Sequence, residues 1–176
     1  LGDVYKRQVK RYLAKTKPFC LIHAAGLSRP MKIHEKEISK SILLNIIGTS
    51  NIVKICSKYN VKLIYFSTNF VYPGKKGNYK ESDLANPILL YGAQKLEVEQ
   101  HLEAITDDYA ILRLAKIYDL QPRDGTLFSS MLDIVEQGGT ARCACDQRFS
   151  PIFVNDVVNA VIAAISLRLR GMYHVA

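Results

Sequence analysis

VKLIYFST, residues 61–68, decides the fold. It is an unbroken apolar run of strand length that ends in two hydroxyl residues, Ser67 and Thr68. A run without polar alternation marks a strand covered on both faces, as in a parallel sheet. FCLIHAA, residues 19–25, is a second run of this kind, standing after Pro18 has closed the helical pattern VKRYLAKTK. Between the two strands a helical pattern runs from about Ile33 to Tyr59. In it Leu43, Leu44, Ile46, Ile47, Ile52, Val53, Ile55 and Cys56 predict a broad buried stripe.

The alternation continues downstream. The turn-rich loop YPGKKGNYKESDLANP (72–87) leads into a helix starting near Tyr91. A strand YAILRLAKIY (109–118) follows, then a helix from Leu127 to Glu136, a short strand TARCA (140–144) and an extended FSPIFV (149–154). A helix from Asn155 to about Leu167 and a last strand GMYHVA (171–176) complete the chain. Strands alternating with helices predict an α/β fold, a doubly wound parallel sheet with helices on both faces. Ligands of such sheets sit at the carboxyl ends of the strands, where HAAG, STNF and the end of IYD fall.

Composition narrows the function classes. The chain has 176 residues, 48% hydrophobic and 23% charged, enough for one domain with a sizeable core. It holds no apolar run of membrane-spanning length and no signal-peptide centre at its start, which predicts a cytoplasmic protein without a membrane partner. Cys20, Cys56, Cys143 and Cys145 lack CxxC spacing and a neighbouring His cluster. They read as buried small apolar residues of a reduced protein, with no metal site. The formal net charge is +8, but the basic residues (Lys10/Arg11, Lys15/Lys17, Lys75/Lys76, Arg168/Arg170) are scattered. No aromatic-and-basic run organises them, so nucleic acid is not the expected partner, whereas anionic ligands are attracted.

Tyr91 and Lys95 of YGAQK carry the chemistry. Four positions apart on a helix, they project from one face. A free tyrosine loses its proton near pH 10, and a neighbouring ammonium favours the phenolate, lowering that pKa into a useful range. An exposed Tyr–Lys pair on a helix has the same spacing, so the context must decide. Thr68, at the carboxyl end of a buried strand, can hydrogen-bond a substrate carbonyl; Ser67 and Thr68 can equally satisfy backbone at a strand end. Asn45 is a polar residue inside an apolar stripe, and a buried amide must find partners. It is expected to bridge main chains, or to order a water near the site.

HAAG (23–26), NIIGT (45–49), STNFVYPG (67–74), the Glu81–Pro87 approach, YGAQK (91–95) and LRLAKIYD (112–119) resemble, in this order, motifs of the extended short-chain dehydrogenases/reductases. STNFVYPG is similar to the STDYVFxG of the dTDP-4-dehydrorhamnose reductase branch, and DQRFSPIFVNDV (146–157) to its DQxGxPTxxxDLA. The resemblance implies a partial Rossmann-type sheet with the start of a small substrate-binding portion. It implies Thr68, Tyr91 and Lys95 as the catalytic triad, with Tyr91 protonating a keto-sugar oxygen, Lys95 lowering its pKa and holding the nicotinamide ribose, and Thr68 orienting the carbonyl. The cofactor is then NADP or NAD, running beside His23, Ala24 and Ala25 as well as Tyr91 and Lys95. Asn69, Asp146, Gln147 and Ser150 fall where the family handles a nucleotide-sugar substrate, and Arg113 is structural. The helices around 33–59 and after Tyr91 are where relatives pair, which implies a homodimer.

The departures bear on the reaction. Asn69 replaces the Asp of STDYVF, and Pro151–Ile152 replaces the PT pair. Three readings stand: a 4-keto-sugar reductase, an epimerase or dehydratase with the same triad, and a regulatory subunit such as the one associated with methionine adenosyltransferase.

The GxxGxxG loop that binds pyrophosphate in such reductases is not in this sequence; Gly125, Gly138 and Gly139 come too late and read as loop and helix-end glycines. LGDVYKRQ (1–8) resembles the translation of a sequencing adapter. The expected division is therefore 1–8 adapter-derived, 9–125 the later part of a dinucleotide-binding domain, and 126–176 part of a substrate-binding region interleaved with the last strands. A polypeptide cut in this way is expected to expose its first strand as a raw apolar edge, to dissolve poorly and to bind no dinucleotide.

Overall fold

The computed structural model describes residues 2–27, 36–120, 126–146 and 148–176. The beginning of the helical pattern at Ile33, the 125/126 boundary and Gln147 lie outside them.

Helix α1 (Gly2–Thr16) precedes strand β1 (Cys20–His23). Helix α2 (Ile38–Ile42), a π turn (Leu43–Gly48) and helix α3 (Thr49–Lys58) follow in unbroken helical succession. Strand β2 (Lys62–Thr68) ends in a 3-10 turn (Asn69–Val71), and helix α4 (Leu90–Ile105) follows the loop. Then come β3 (Tyr109–Leu114), β4 (Lys116–Tyr118), α5 (Leu127–Glu136), β5 (Pro151–Phe153), α6 (Val154–Ser166) and β6 (Gly171–Val175). The main sheet has the order β1-β2-β3-β6 with every pair parallel, and β4 and β5 form a separate parallel pair.

Alternation along β2 divides the core into two layers. Leu63 and Tyr65 face one way and pack with Leu13, Ile52, Val53, Ile55, Cys56, Val98 and Leu102 from α1, α3 and α4. Ile64 faces the other way, with Ala110, Leu112 and Leu114, against Val157, Val161 and Ala164 of α6. This is the α/β architecture, helices on both faces of a parallel sheet, that the apolar runs predict.

Four expectations are corrected. The run 109–118 is not one strand: it divides at Ala115, where β3 stays in the main sheet and β4 leaves to pair with β5. TARCA forms no strand. Residues 140–144 have no ladder partner and stand almost wholly exposed, which also overturns the reading of Cys143 and Cys145 as buried. Strand β1 is the edge of the described sheet, with Ile22 46% exposed, the apolar edge expected of the first strand. The predicted stripe on the long helix is half inverted, for Leu43, Leu44 and Ile47 are exposed while Ser41, Asn45 and Thr49 are buried. Those three polar residues are spaced by four and form one ridge of the helix. They are buried because each has a hydrogen-bond partner: Thr49 with His23 at the end of β1, Asn45 with Leu27 after it, and Ser41 with Gln94 of α4.

Among the described residues no helix is long and apolar enough to cross a membrane, and none of them forms a group of His, Cys, Asp and Glu able to hold a metal ion.

Candidate active site

Strand β2 delivers Thr68 to the carboxyl edge of the sheet, where both Ser67 and Thr68 are buried. The Thr68 hydroxyl accepts from the Phe70 N–H at 3.2 Å and so caps the 3-10 turn. Its own proton has only a long contact, 3.5 Å, to the Asn69 side-chain oxygen. One lone pair is used structurally, and the O–H remains available to a ligand oxygen.

Helix α4 brings Tyr91 and Lys95 to the same place. Its first turn packs directly on the strand end, because Gly92 has no side chain. A Cβ there would collide with the Phe70 carbonyl and come within 3.0 Å of Pro87 Cβ. The Phe70 and Tyr91 rings meet edge to face, with centroids 6.3 Å apart. Lys95 is buried, and its ammonium donates to the Phe66 carbonyl oxygen at 2.9 Å. It lies over the Tyr65 ring at 4.7 Å and the Tyr91 ring at 5.9 Å.

The electrostatics differ from the expected arrangement. Burial pushes the Tyr91 phenol up to about 12 rather than down. Burial also pushes Lys95 down to about 8, with Glu99 opposing the shift. The reason is geometric: Lys95 spends a direct hydrogen bond on the Phe66 carbonyl, and removal of both groups from water outweighs what their mutual attraction gives Tyr91.

The loop after β1 crosses above this ammonium. His23 is buried, bonded through Nε2 to the Thr49 hydroxyl at 3.0 Å and stacked on Tyr65. Burial, and then Lys95, hold its pKa down to about 4, so the ring is neutral at pH 7. Ala24 and Ala25 are exposed, with small side chains. A Cβ on Gly26 would stand 3.5 Å from both Asn45 Oδ1 and Lys95 Nζ. Asn45 bridges main chain, as expected of a buried amide: Oδ1 accepts from Leu27 N at 2.8 Å, and Nδ2 donates to Leu27 O at 3.0 Å. It does so from a π turn, a helical irregularity frequent at functional sites.

Beneath the site Arg113 makes a two-pronged ion pair with buried Glu99, Nε–Oε1 at 3.1 Å and Nη2–Oε2 at 2.6 Å. A further prong reaches the Tyr72 hydroxyl, which donates to Lys80 O at 2.9 Å and lies 3.0 Å from His174 Nε2. Arg113 also lines the cavity that opens beyond Asn69.

A cavity of about 590 Å³ opens beyond Asn69 and Tyr72; Thr68, Tyr91 and Lys95 are not among the residues that line it. Asn69, Asp146 and Ser150 all line it, so three of the four substrate candidates converge there; Gln147 lies outside the described residues. Lys75, Lys76 and Arg148 line it too. The sequence shows the two lysines only as one of several scattered basic pairs, and the fold gathers them with Arg148 on one wall. Gln94 is the other residue the sequence reading passes over. It is 1% exposed and joins Asn45 to Ser41. The i, i+4, i+8 spacing of Ser41, Asn45 and Thr49 is the signal from which a polar partner could have been sought.

The chain is 30% identical over 173 residues to the methionine adenosyltransferase 2 subunit beta of Xenopus tropicalis, matching 94% of this chain and 52% of that protein. It is 26% identical over 147 residues to the dTDP-4-dehydrorhamnose reductase of Aggregatibacter actinomycetemcomitans, 83% of this chain and 49% of that one. The crystal structure of the Bacillus anthracis dTDP-4-dehydrorhamnose reductase, in complex with NADP, superimposes with a TM-score of 0.90 at 27% identity, covering 97% of this chain and 60% of its own. The chain thus spans about half the length of the curated relatives it matches. Residues 3–176 match the RmlD substrate binding domain, and the chain belongs to that family.

Proposed function

We propose that the protein carrying this chain is an NAD(P)H-dependent reductase of a nucleotide-linked 4-keto sugar. The observation that carries the reading is the arrangement around Lys95. Its ammonium is tied to the Phe66 carbonyl at 2.9 Å beside the Tyr91 ring, at the strand end where Thr68 stands with an O–H free to turn to a ligand. Relatives named as dTDP-4-dehydrorhamnose reductases, one of them solved with NADP, support the substrate and cofactor class.

The exposed, small Ala24 and Ala25 above Lys95, beside a neutral His23, form a cradle that suits a dinucleotide. His23, Ala24, Ala25, Tyr91 and Lys95 would hold it, and when bound it supplies a hydride to the carbonyl carbon. The chain's own residues do the rest. The Thr68 hydroxyl donates to the sugar carbonyl oxygen and orients it. The Tyr91 O–H passes its proton to that oxygen as charge develops there. Lys95, protonated below about pH 8, stabilises the phenolate left behind. Asn69, Asp146 and Ser150 meet the substrate from the cavity wall, where Lys75, Lys76 and Arg148 supply positive charge for a diphosphate. We also propose that the exposed Leu43, Leu44 and Ile47 belong to a homodimer face.

The test is consumption of NADPH or NADH on addition of a dTDP-4-keto-6-deoxy sugar. Stoichiometric loss of reduced cofactor supports the reductase. Conversion of the sugar without net loss of cofactor would make it an epimerase or dehydratase. A regulatory role is the reading favoured by the 30% identity to a methionine adenosyltransferase subunit. It predicts no sugar turnover and a change in the activity of an added methionine adenosyltransferase.

A further inference from the structure

We propose that Gln94 is a positioning residue: through Asn45 it holds the Leu27 main chain, and with it the loop of residues 24–27, in place over Lys95. Its catalytic consequence rests on the reductase reading, whereas the clamp rests on the hydrogen bonds alone.

The bonds form a chain in which each partner fixes the next. The Ser41 hydroxyl donates to Ile38 O at 3.0 Å, so towards Gln94 it can only accept. Gln94 Nε2 donates to it at 2.7 Å. The other atom of that amide, Oε1, must then face Asn45, whose Nδ2 donates to it at 2.9 Å. With one Asn45 proton used on Gln94 and the other on Leu27 O, Oδ1 is left to accept from the Leu27 N–H. Every member of the relay is sealed from water, Ser41 at 0%, Gln94 at 1% and Asn45 at 2% exposure. A fully satisfied buried network of this kind is rigid and admits one arrangement.

The relay joins two elements that the proposed chemistry needs in register. Gln94 immediately precedes Lys95 on α4, and Leu27 follows Gly26, which faces both Asn45 Oδ1 and Lys95 Nζ at 3.5 Å from a built Cβ. A shift of α4 along the π turn would stretch the Gln94–Asn45 bond of 2.9 Å. The neighbouring Tyr65–Lys95 and Lys95–Phe66 contacts hold the ammonium to β2, but they do not reach the loop. Gln94 makes that connection.

The experiment uses the full-length gene product and Gln94→Met, which keeps side-chain volume and removes both polar atoms. Leu27 amide exchange is read by mass spectrometry or NMR, alongside kcat and KM for a dTDP-4-keto-6-deoxy sugar. The expected result is Leu27 exchange faster by about tenfold, with kcat lower by about tenfold and KM nearly unchanged, as for a residue that aligns reacting groups without touching substrate. Unchanged Leu27 exchange overturns the clamp, and faster exchange with unaltered kcat overturns the positioning role. If the wild-type protein turns over no keto sugar, the reductase reading fails and Leu27 exchange alone decides the clamp. Should Gln94→Met not fold, Ser41→Ala removes the acceptor that orients Gln94 and is expected to move the same two readouts in the same direction.

Discussion

Lys95 and Phe66 are joined by a hydrogen bond of 2.9 Å from the ammonium to the main-chain carbonyl, which ties the helix bearing Tyr91 to the carboxyl end of β2. The bond keeps a lysine where burial penalises its charge, and the outcome is a group that titrates at about 8. Turnover is therefore expected to fall as pH rises through about 8, where the ammonium is lost, and a kcat profile checks this. The unfolded chain holds that proton up to 10.5. Between pH 8 and 10 the folded state binds fewer protons than the unfolded one, so this group makes stability rise with pH there. Lys95→Met should abolish turnover and remove that rise, as read by urea midpoints across the same window.

Tyr91→Phe removes the proposed proton donor and keeps the ring that meets Phe70 edge to face. Reduction should drop by at least about a hundredfold, with dinucleotide affinity nearly unchanged by calorimetry. Joint loss of both would assign Tyr91 a structural role.

His23 is held neutral, with a pKa near 4 against 6.5 when unfolded. As pH falls from 6.5 to 4 the unfolded state takes up a proton that the folded state refuses. Stability is expected to decline by about 3 kcal/mol across that window. His23→Gln, which can still bond Thr49, should flatten the decline; an unaltered slope in chemical denaturation would locate the acid sensitivity elsewhere.

Gly92 is the point at which α4 touches the strand end, and Gly92→Ala drives a methyl into the Phe70 carbonyl. Overpacking of this kind costs about 1–3 kcal/mol. Because the helix must move away from Thr68, turnover of the folded protein should also fall, by about a hundredfold. Denaturant midpoints measured beside kcat separate the two.

Arg113→Met leaves the Glu99 carboxylate buried and unpaired, and such a loss costs about 3–5 kcal/mol. Arg113→Met combined with Glu99→Leu should recover most of that loss in a denaturation cycle, which would show that the cost of the single variant is the unpaired carboxylate.

Much of this molecule is legible in its residues. Unbroken runs such as VKLIYFST become strands because a strand flanked by helices on both faces admits no polar alternation, and β1, β2, β3 and β6 with the helices between them follow. The Tyr91–Lys95 pair is legible because i and i+4 share a helix face in any context. Thr68 is legible because a hydroxyl that ends a buried run must sit at the carboxyl edge of the sheet. The break at Ala115 is not, since leaving one sheet to pair with another depends on β5, some thirty residues away in sequence. Nor is the exposure of Leu43, Leu44 and Ile47, because periodicity gives the angle between faces but not which face meets the protein.

The sequence by itself determined the alternation of elements and the sheet edge on which Thr68, Tyr91 and Lys95 stand, which rest on local periodicity and covalent spacing; the roles proposed for the three come from the family resemblance. Only the tertiary structure decided the protonation behaviour of Tyr91, Lys95 and His23, the gathering of Asn69, Asp146 and Ser150 around one cavity, and the Ser41–Gln94–Asn45 relay. Desolvation and hydrogen-bond partnership are properties of what surrounds a group in space, and residues some fifty positions apart in the chain have no surroundings in common until it folds.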